Sequence, residues 1–169
     1  EFQGSTFRIA VPEQASGPLP LLLVLHGDEG TPDYVFDDWL SAVWPQHDDF
    51  ILVAPLAPAP AQHSWWLAMD ENANWLEAFL DDIVTKYNID TDRMYTAGWS
   101  GGSEFMSLWF ARRPVRMAAA QYGFGGRNLY YVPEGSCKIA AGFLQGELDG
   151  LSVGARALFP TGNLKYEYT

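Results

Sequence analysis

The residues of this chain best suited to covalent chemistry lie in Gly98-Trp99-Ser100-Gly101-Gly102, a G-x-S-x-G pentapeptide. A serine hydroxyl attacks a carbonyl carbon only when its oxygen stands clear of neighbouring side chains and beside a base. A sharp turn from strand to helix supplies the first condition. Gly98 and Gly102 suit such a turn because it brings backbone against backbone and leaves no room for a Cβ. The pentapeptide alone is weak evidence, since small residues gather around serines in ordinary turns. Its flanks add weight: Arg93-Met94-Tyr95-Thr96-Ala97 reads as a short buried strand, and Glu104 to Arg112 carries Phe105, Leu108 and Trp109 at helical spacing.

Two further clusters could serve that nucleophile. His26-Gly27-Asp28-Glu29-Gly30 directly follows the apolar run Leu21 to Leu25. A backbone N–H from this loop, with the N–H of Gly101, would hold the oxyanion formed when Ser100 adds to a carbonyl. Asp28 is the expected loop donor, with Glu29 the next choice. His26 reads as a structural residue that ties the loop down. Gly146-Glu147-Leu148-Asp149 follows another strand-like run. An acid here would orient and stabilise a catalytic imidazolium, and Asp149 is the choice, with Glu147 as competitor and a solvated turn as the plain alternative.

Aromatic residues crowd the same loops. Trp65 and Trp66 would wall an apolar or aromatic pocket, or else pack over the core. Glu29 and His63 complete the expected substrate-facing set. Trp99 is expected to pack beneath the turn, and Tyr122, Phe124, Tyr130 and Tyr131 would add a further aromatic wall. His47, beside Asp48 and Asp49, reads as a solvated residue in a connecting turn.

The elements that must position these residues alternate along the chain. Thr6 to Val11 alternates as a strand does and stops at Pro12. Leu21 to Leu25 and Phe50 to Ala54 are continuous apolar runs, the pattern of parallel strands covered on both faces. Between them, after the start signal Thr31-Pro32-Asp33, Tyr34, Trp39, Leu40 and Val43 are expected to share a helix face. Pro55 to Gln62 must be an extended loop. Asn72 to Tyr87 is the clearest helix, with Trp75, Leu76, Phe79, Leu80, Ile83, Val84 and Tyr87 on one wide apolar face. Asp90 to Arg93 turns into the strand before Ser100. Met117 to Tyr122 and Ile139 to Gln145 read as strands separated by the Gly-rich loop Gly123 to Gly135, Gly150 to Phe159 weakly as a helix, and Leu164 to Tyr168 as a strand. Such alternation predicts an α/β fold, a mostly parallel sheet with helices on both faces, in which functional groups collect at the carboxyl ends of strands.

Composition narrows the class. A chain of 169 residues, 48% hydrophobic, with 7 Trp, 8 Tyr and 10 Phe, fits one globular domain spanning 1–169. Its net charge of -11 disfavours nucleic acid, anionic membrane surfaces and anionic substrates. No apolar run approaches the ~20 residues of a membrane span. The single cysteine, Cys137, rules out an intrachain disulfide and a thiolate metal cluster, and reads as a packed thiol. The start Glu1-Phe2-Gln3-Gly4-Ser5, without an initiator Met, suggests a processed precursor or a cloning junction.

Leu21-Leu22-Leu23-Val24-Leu25-His26-Gly27, Tyr87 to Tyr95, Gly98-Trp99-Ser100-Gly101-Gly102 and Gln145-Gly146-Glu147-Leu148-Asp149 together make the chain resemble the α/β-hydrolase superfamily. Within it, the chain resembles the secreted-type esterases grouped with polyhydroxybutyrate depolymerases and feruloyl esterases. The stretch Tyr87 to Tyr95 looks like that group's approach to the nucleophile strand, which is more specific than G-x-S-x-G alone. The resemblance implies a serine carboxylesterase working through an acyl-enzyme on small or polymeric esters, with no metal or organic cofactor and a secreted or periplasmic location. A thioesterase or serine peptidase on the same fold would share every motif.

The chain departs from the family in one respect. Family triads run Ser, Asp, His, yet the 3 histidines here, His26, His47 and His63, all precede Ser100. Without a base the hydroxyl stays protonated and is a poor nucleophile. Three readings follow: a chain whose C-terminal end is incomplete, lacking its last helix and His loop; recruitment of His63 as base, since triads are defined by geometry; or a noncatalytic binding module.

Overall fold

The computed structural model describes residues 1–13, 16–43, 49–58, 63–113, 116–126 and 140–144. Six strands form one sheet in the order β1-β3-β2-β4-β5-β6. These are β1 (Phe7–Ala10), β2 (Leu19–Leu25), β3 (Ile51–Pro55), β4 (Ile89–Trp99), β5 (Ala119–Gly123) and β6 (Ala140–Leu144). β1 pairs antiparallel with β3, and every other pairing is parallel. The expected mixed architecture is therefore observed. Strands β2 and β3 read as unbroken apolar runs because both of their faces are covered: Leu21, Leu23 and Leu25 enter one core cluster, Val24 and Leu52 the other.

The larger core lies between the sheet and helices α3 (Met69–Lys86) and α4 (Gly101–Arg112). Trp75, Leu76, Phe79, Leu80 and Ile83 line the buried stripe of α3, as the periodicity predicts, and Asn72 and Ala73 extend it. Phe105, Met106 and Trp109 answer from α4. Each such side chain withdrawn from water contributes roughly 1.5–3 kcal/mol. α3 begins three residues before the expected Asn72, at Met69. β4 already starts at Ile89, so Asp90 to Arg93 continues a strand where a turn is expected. Asp90 accepts from the Asp92 N–H and from Arg93 Nε within that strand, which satisfies its polar groups without a reversal. Pro20 has no N–H for the ladder, and the β2–β4 register shifts between Leu19 and Leu21.

The second face carries a helical segment of three parts: α1 (Pro32–Tyr34), a π-helix (Val35–Leu40) and α2 (Ser41–Val43). Here the sequence reading is corrected. Leu40 is buried and Trp39 packs beside it as expected, but Tyr34 is exposed and Val35 takes its place against Val24, Leu52 and Ala54. The wider turn closed by i→i+5 hydrogen bonds brings Val35 and Leu40 toward one face, a phase that a 3.6-residue period misassigns. The tracts expected as helix 150–159 and strand 164–168 lie outside the described residues. Among the described residues no helix is long and apolar enough to cross a membrane.

Candidate active site

β4 runs into α4 through Ser100, which stands at φ 48° and ψ -111°. That left-handed backbone costs a non-glycine residue of order 1–3 kcal/mol and persists only where its surroundings enforce it. Those surroundings are specific. The Ser100 N–H donates to the Gly123 carbonyl at 2.8 Å, and the Ser100 carbonyl accepts the Glu104 N–H at 3.0 Å to open α4. Ser103 is fully buried; its Oγ donates to the Gly98 carbonyl at 2.7 Å and accepts the Gly123 N–H at 2.9 Å, so one hydroxyl pins the turn to the end of β5.

The two glycines of the motif are there for space. A Cβ on Gly98 would lie 2.6 Å from Met106 Sδ and 2.7 Å from the Ser103 nitrogen. One on Gly102 would strike the Leu25 carbonyl and approach the His26 carbonyl to 2.7 Å. The start of α4 is thus pressed against the end of β2, and the serine turn is brought to the loop after that strand.

In that loop a Cβ on Gly101 would fall against the Asp28 carboxylate and 3.2 Å from the Asp28 nitrogen. The expected donor pair, Asp28 and Gly101, is therefore brought together. Among the described residues neither backbone N–H has an acceptor. Glu29, exposed at φ 59°, stands beside them on the lip of the loop. His26 is buried; its Nδ1–H donates to the Gly27 carbonyl at 2.6 Å and its Nε2 accepts the Ala57 N–H at 3.0 Å. Burial pushes its pKa below the usual histidine value, against the Gly27 carbonyl, which favours the charged ring. With both ring nitrogens engaged, this neutral imidazole ties two loops together, as expected.

The tryptophan pair divides. Trp65 is fully buried among His26, Trp75 and Phe105, so it belongs to the core and cannot wall an open pocket; that expectation is corrected. Trp66 is half-buried, and its indole N–H donates to Asp28. Trp99 packs between Trp39 and Phe124, with ring centroids 5.9 and 4.4 Å away. Tyr122 is buried and stacks on Phe143, so it too belongs to the core. His63 is half-buried at φ 43° and makes no hydrogen bond to Ser100. Ser64 and Asn72 carry no motif in the sequence, yet Ser64 Oγ donates to Asp28 at 2.6 Å and Asn72 Nδ2 holds the Ser64 and Trp65 carbonyls. Only a buried Asn on an otherwise apolar helix stripe could have pointed to them.

Asp149, Glu147, His47, Tyr130, Tyr131 and Cys137 lie outside the described residues. Among those described, no cluster of three His, Cys, Asp or Glu side chains is placed to hold a metal ion. An apolar groove of about 390 Å³ on the sheet is lined by Leu22, Trp39, Tyr95 and Gln121 among others, and none of its residues belongs to the serine turn or the Asp28 loop.

Comparison with known proteins bears on the architecture. No protein-family model matches the chain. The bifunctional acetylxylan esterase/xylanase XynS20E of Neocallimastix patriciarum is 28% identical over 102 residues, 60% of this chain and 15% of that protein. A thermostable esterase superimposes with a TM-score of 0.73 at 22% identity, over 96% of this chain and 49% of that one. Esterase PE8 superimposes with a TM-score of 0.70 at 18% identity, over 97% of this chain and 85% of that one. The acetyl xylan esterase of Aspergillus awamori gives 0.60 at 20% identity, over 70% and 46%. The fold is that of the α/β-hydrolases, shared here with esterases. The chain spans about half the length of the thermostable esterase and a small part of XynS20E.

Proposed function

We propose that the protein is a serine hydrolase of carboxylic esters. The observation that carries this reading is Ser100 at φ 48° on a strand-to-helix turn, seated beside two backbone N–H groups that have no acceptor among the described residues. Ser100 Oγ adds to the ester carbonyl, and its proton passes to an imidazole. The N–H groups of Asp28 and Gly101 hold the oxyanion, a contribution of about 3 kcal/mol each to transition-state stabilisation. Collapse expels the alcohol, protonated by the imidazolium, and leaves an acyl-enzyme that water hydrolyses by the same route. His26 is occupied by Gly27 and Ala57, and His63 is not bonded to Ser100. In this reading neither described histidine is the base, and Asp149 is the acid that orients the base. Trp66 and the acidic lip of the loop favour neutral esters with apolar or aromatic groups, on small or polymeric carriers, over anionic ones. The esterases among the structural and sequence relatives support the reaction class, and the two acetylxylan esterases support a polymeric carrier. A secreted or periplasmic setting belongs to the same reading.

The test is an intact mass spectrum before and after a fluorophosphonate. One adduct, absent in Ser100→Ala, is expected of the protein with its base in place. No adduct on a chain of 18.8 kDa would mean that this polypeptide lacks its base, and ligand binding unaffected by Ser100→Ala would then favour a noncatalytic binding module. That second reading rests on one observation: Ser100 Oγ makes no hydrogen bond to any described histidine.

A further inference from the structure

The oxyanion role uses only the backbone of Asp28, and its side chain has a structure of its own. The carboxylate accepts Ser64 Oγ–H at 2.6 Å and Trp66 Nε1–H at 3.0 Å on Oδ2 and 3.1 Å on Oδ1. Behind them, Asn72 Nδ2 on α3 donates to the Ser64 and Trp65 carbonyls at 2.9 and 2.8 Å. Asn72 and Ser64 are both about 1% exposed. On its other side the carboxylate lies against Gly101. A continuous line of contacts therefore runs from α3 through Asn72, Ser64 and Asp28 to the first residue of α4.

By sign alone this carboxylate is misplaced. A negative group beside a forming oxyanion opposes the charge that must grow there. Two donors draw its charge toward Ser64 and Trp66. They also hold the exposed tip of a loop whose base is fixed by His26 and by the Gly30 N–H on the Gly27 carbonyl: Asp28 and Glu29 are exposed, and Glu29 is at φ 59°. An oxyanion donor must stand within about 2.7–3.1 Å of the developing charge, so a loop free to drift would lose the hole.

We infer that Asp28 is a positioning residue, a strut whose carboxylate fixes its own backbone N–H opposite that of Gly101, braced from α3 through Ser64, Trp66 and Asn72. The inference rests on the oxyanion assignment proposed above. A strut needs an acceptor, not a charge. Asp28→Asn keeps an acceptor, whereas Asp28→Ala removes it.

The test combines residue-resolved hydrogen exchange by NMR with hydrolysis of a neutral aryl ester by the same protein. In Asp28→Ala, the loop amide proton of Gly30, which donates to the Gly27 carbonyl, and the Trp66 indole proton should exchange roughly tenfold faster, the scale set by loss of a charge-assisted hydrogen bond. Amides of β4 should be unchanged. Trp66→Phe, which keeps a ring and removes the donor, should give a smaller change of the same sign at the loop amide. In hydrolysis, kcat should fall about tenfold or more in Asp28→Ala with KM within about twofold, and Asp28→Asn should recover most of the loss. Loop exchange unchanged in Asp28→Ala overturns the strut, as do equal kcat losses in Asp28→Asn and Asp28→Ala. A wild-type protein without turnover, whose loop exchange still responds to Asp28→Ala, sinks the hydrolase reading and leaves the strut standing.

Discussion

His26 shows how a residue that looks chemical can be spent on architecture. Its ring is neutral because burial disfavours the charged form, and Nε2 must remain an acceptor for the Ala57 N–H. Its folded pKa lies below its unfolded value of about 6.5. Between those two values the unfolded chain binds the extra proton, so stability rises with pH across that window and falls as pH drops below about 6.5. Urea denaturation at pH 7.5, 6.5 and 5.5 should show that loss, and His26→Gln should flatten it while lowering stability throughout. A variant with the wild-type slope would sink the assignment. The placement of His26 after an apolar run was enough to separate it from a catalytic base. Trp65 and Trp66 were not separable in sequence, because adjacent identical side chains carry no information about which faces inward. The division is made by His26, Trp75 and Phe105, which come from three distant segments and enclose Trp65.

Among the elements, the join between β2 and the start of α4 is the least tolerant. A Cβ on Gly102 meets two carbonyl oxygens of the strand end, and backbone held in a sheet cannot step aside. Gly102→Ala should therefore cost about 2–3 kcal/mol in urea denaturation. In a binding assay with the fluorophosphonate it should also slow adduct formation at Ser100, because the turn and the Asp28 loop separate together. Sequence reading found this joint because close approach selects glycine at fixed spacing, and it found α3 because one amphipathic stripe persists over several turns. It placed the helical segment after Thr31 but misassigned part of its buried face, for a definite reason. A π-helix changes the period, and Arg8, bonded to Asp33 and Asp37 and lying over the Phe36 ring, clamps that segment from β1. Nothing in the local pattern announces a partner some 25 residues upstream.

Across the whole molecule, one feature of the backbone has a distribution of its own. Apart from Gln3, at 45° in the turn before β1, the non-glycine residues that hold positive φ among the described residues are Glu29, His63, Ser100 and Phe124, at 59°, 43°, 48° and 52°. Each follows a different strand, in the loops after β2, β3, β4 and β5, so the four gather along the carboxyl edge of the sheet. Relieving one should stabilise the protein where no packing is lost: at the exposed Glu29, Glu29→Gly or Glu29→Asn is expected to raise unfolding free energy by up to about 1 kcal/mol, the strain released less any added freedom of the unfolded chain. Thermal or urea unfolding checks this, and a loss of stability in both variants would remove strain as the explanation. The consequence reaches into how such a protein could be made hardier. Substitutions chosen only for melting temperature would be drawn to this one rim and would soften it. An engineer working without an activity screen would arrive, step by step, at a sturdier sheet with a slack edge.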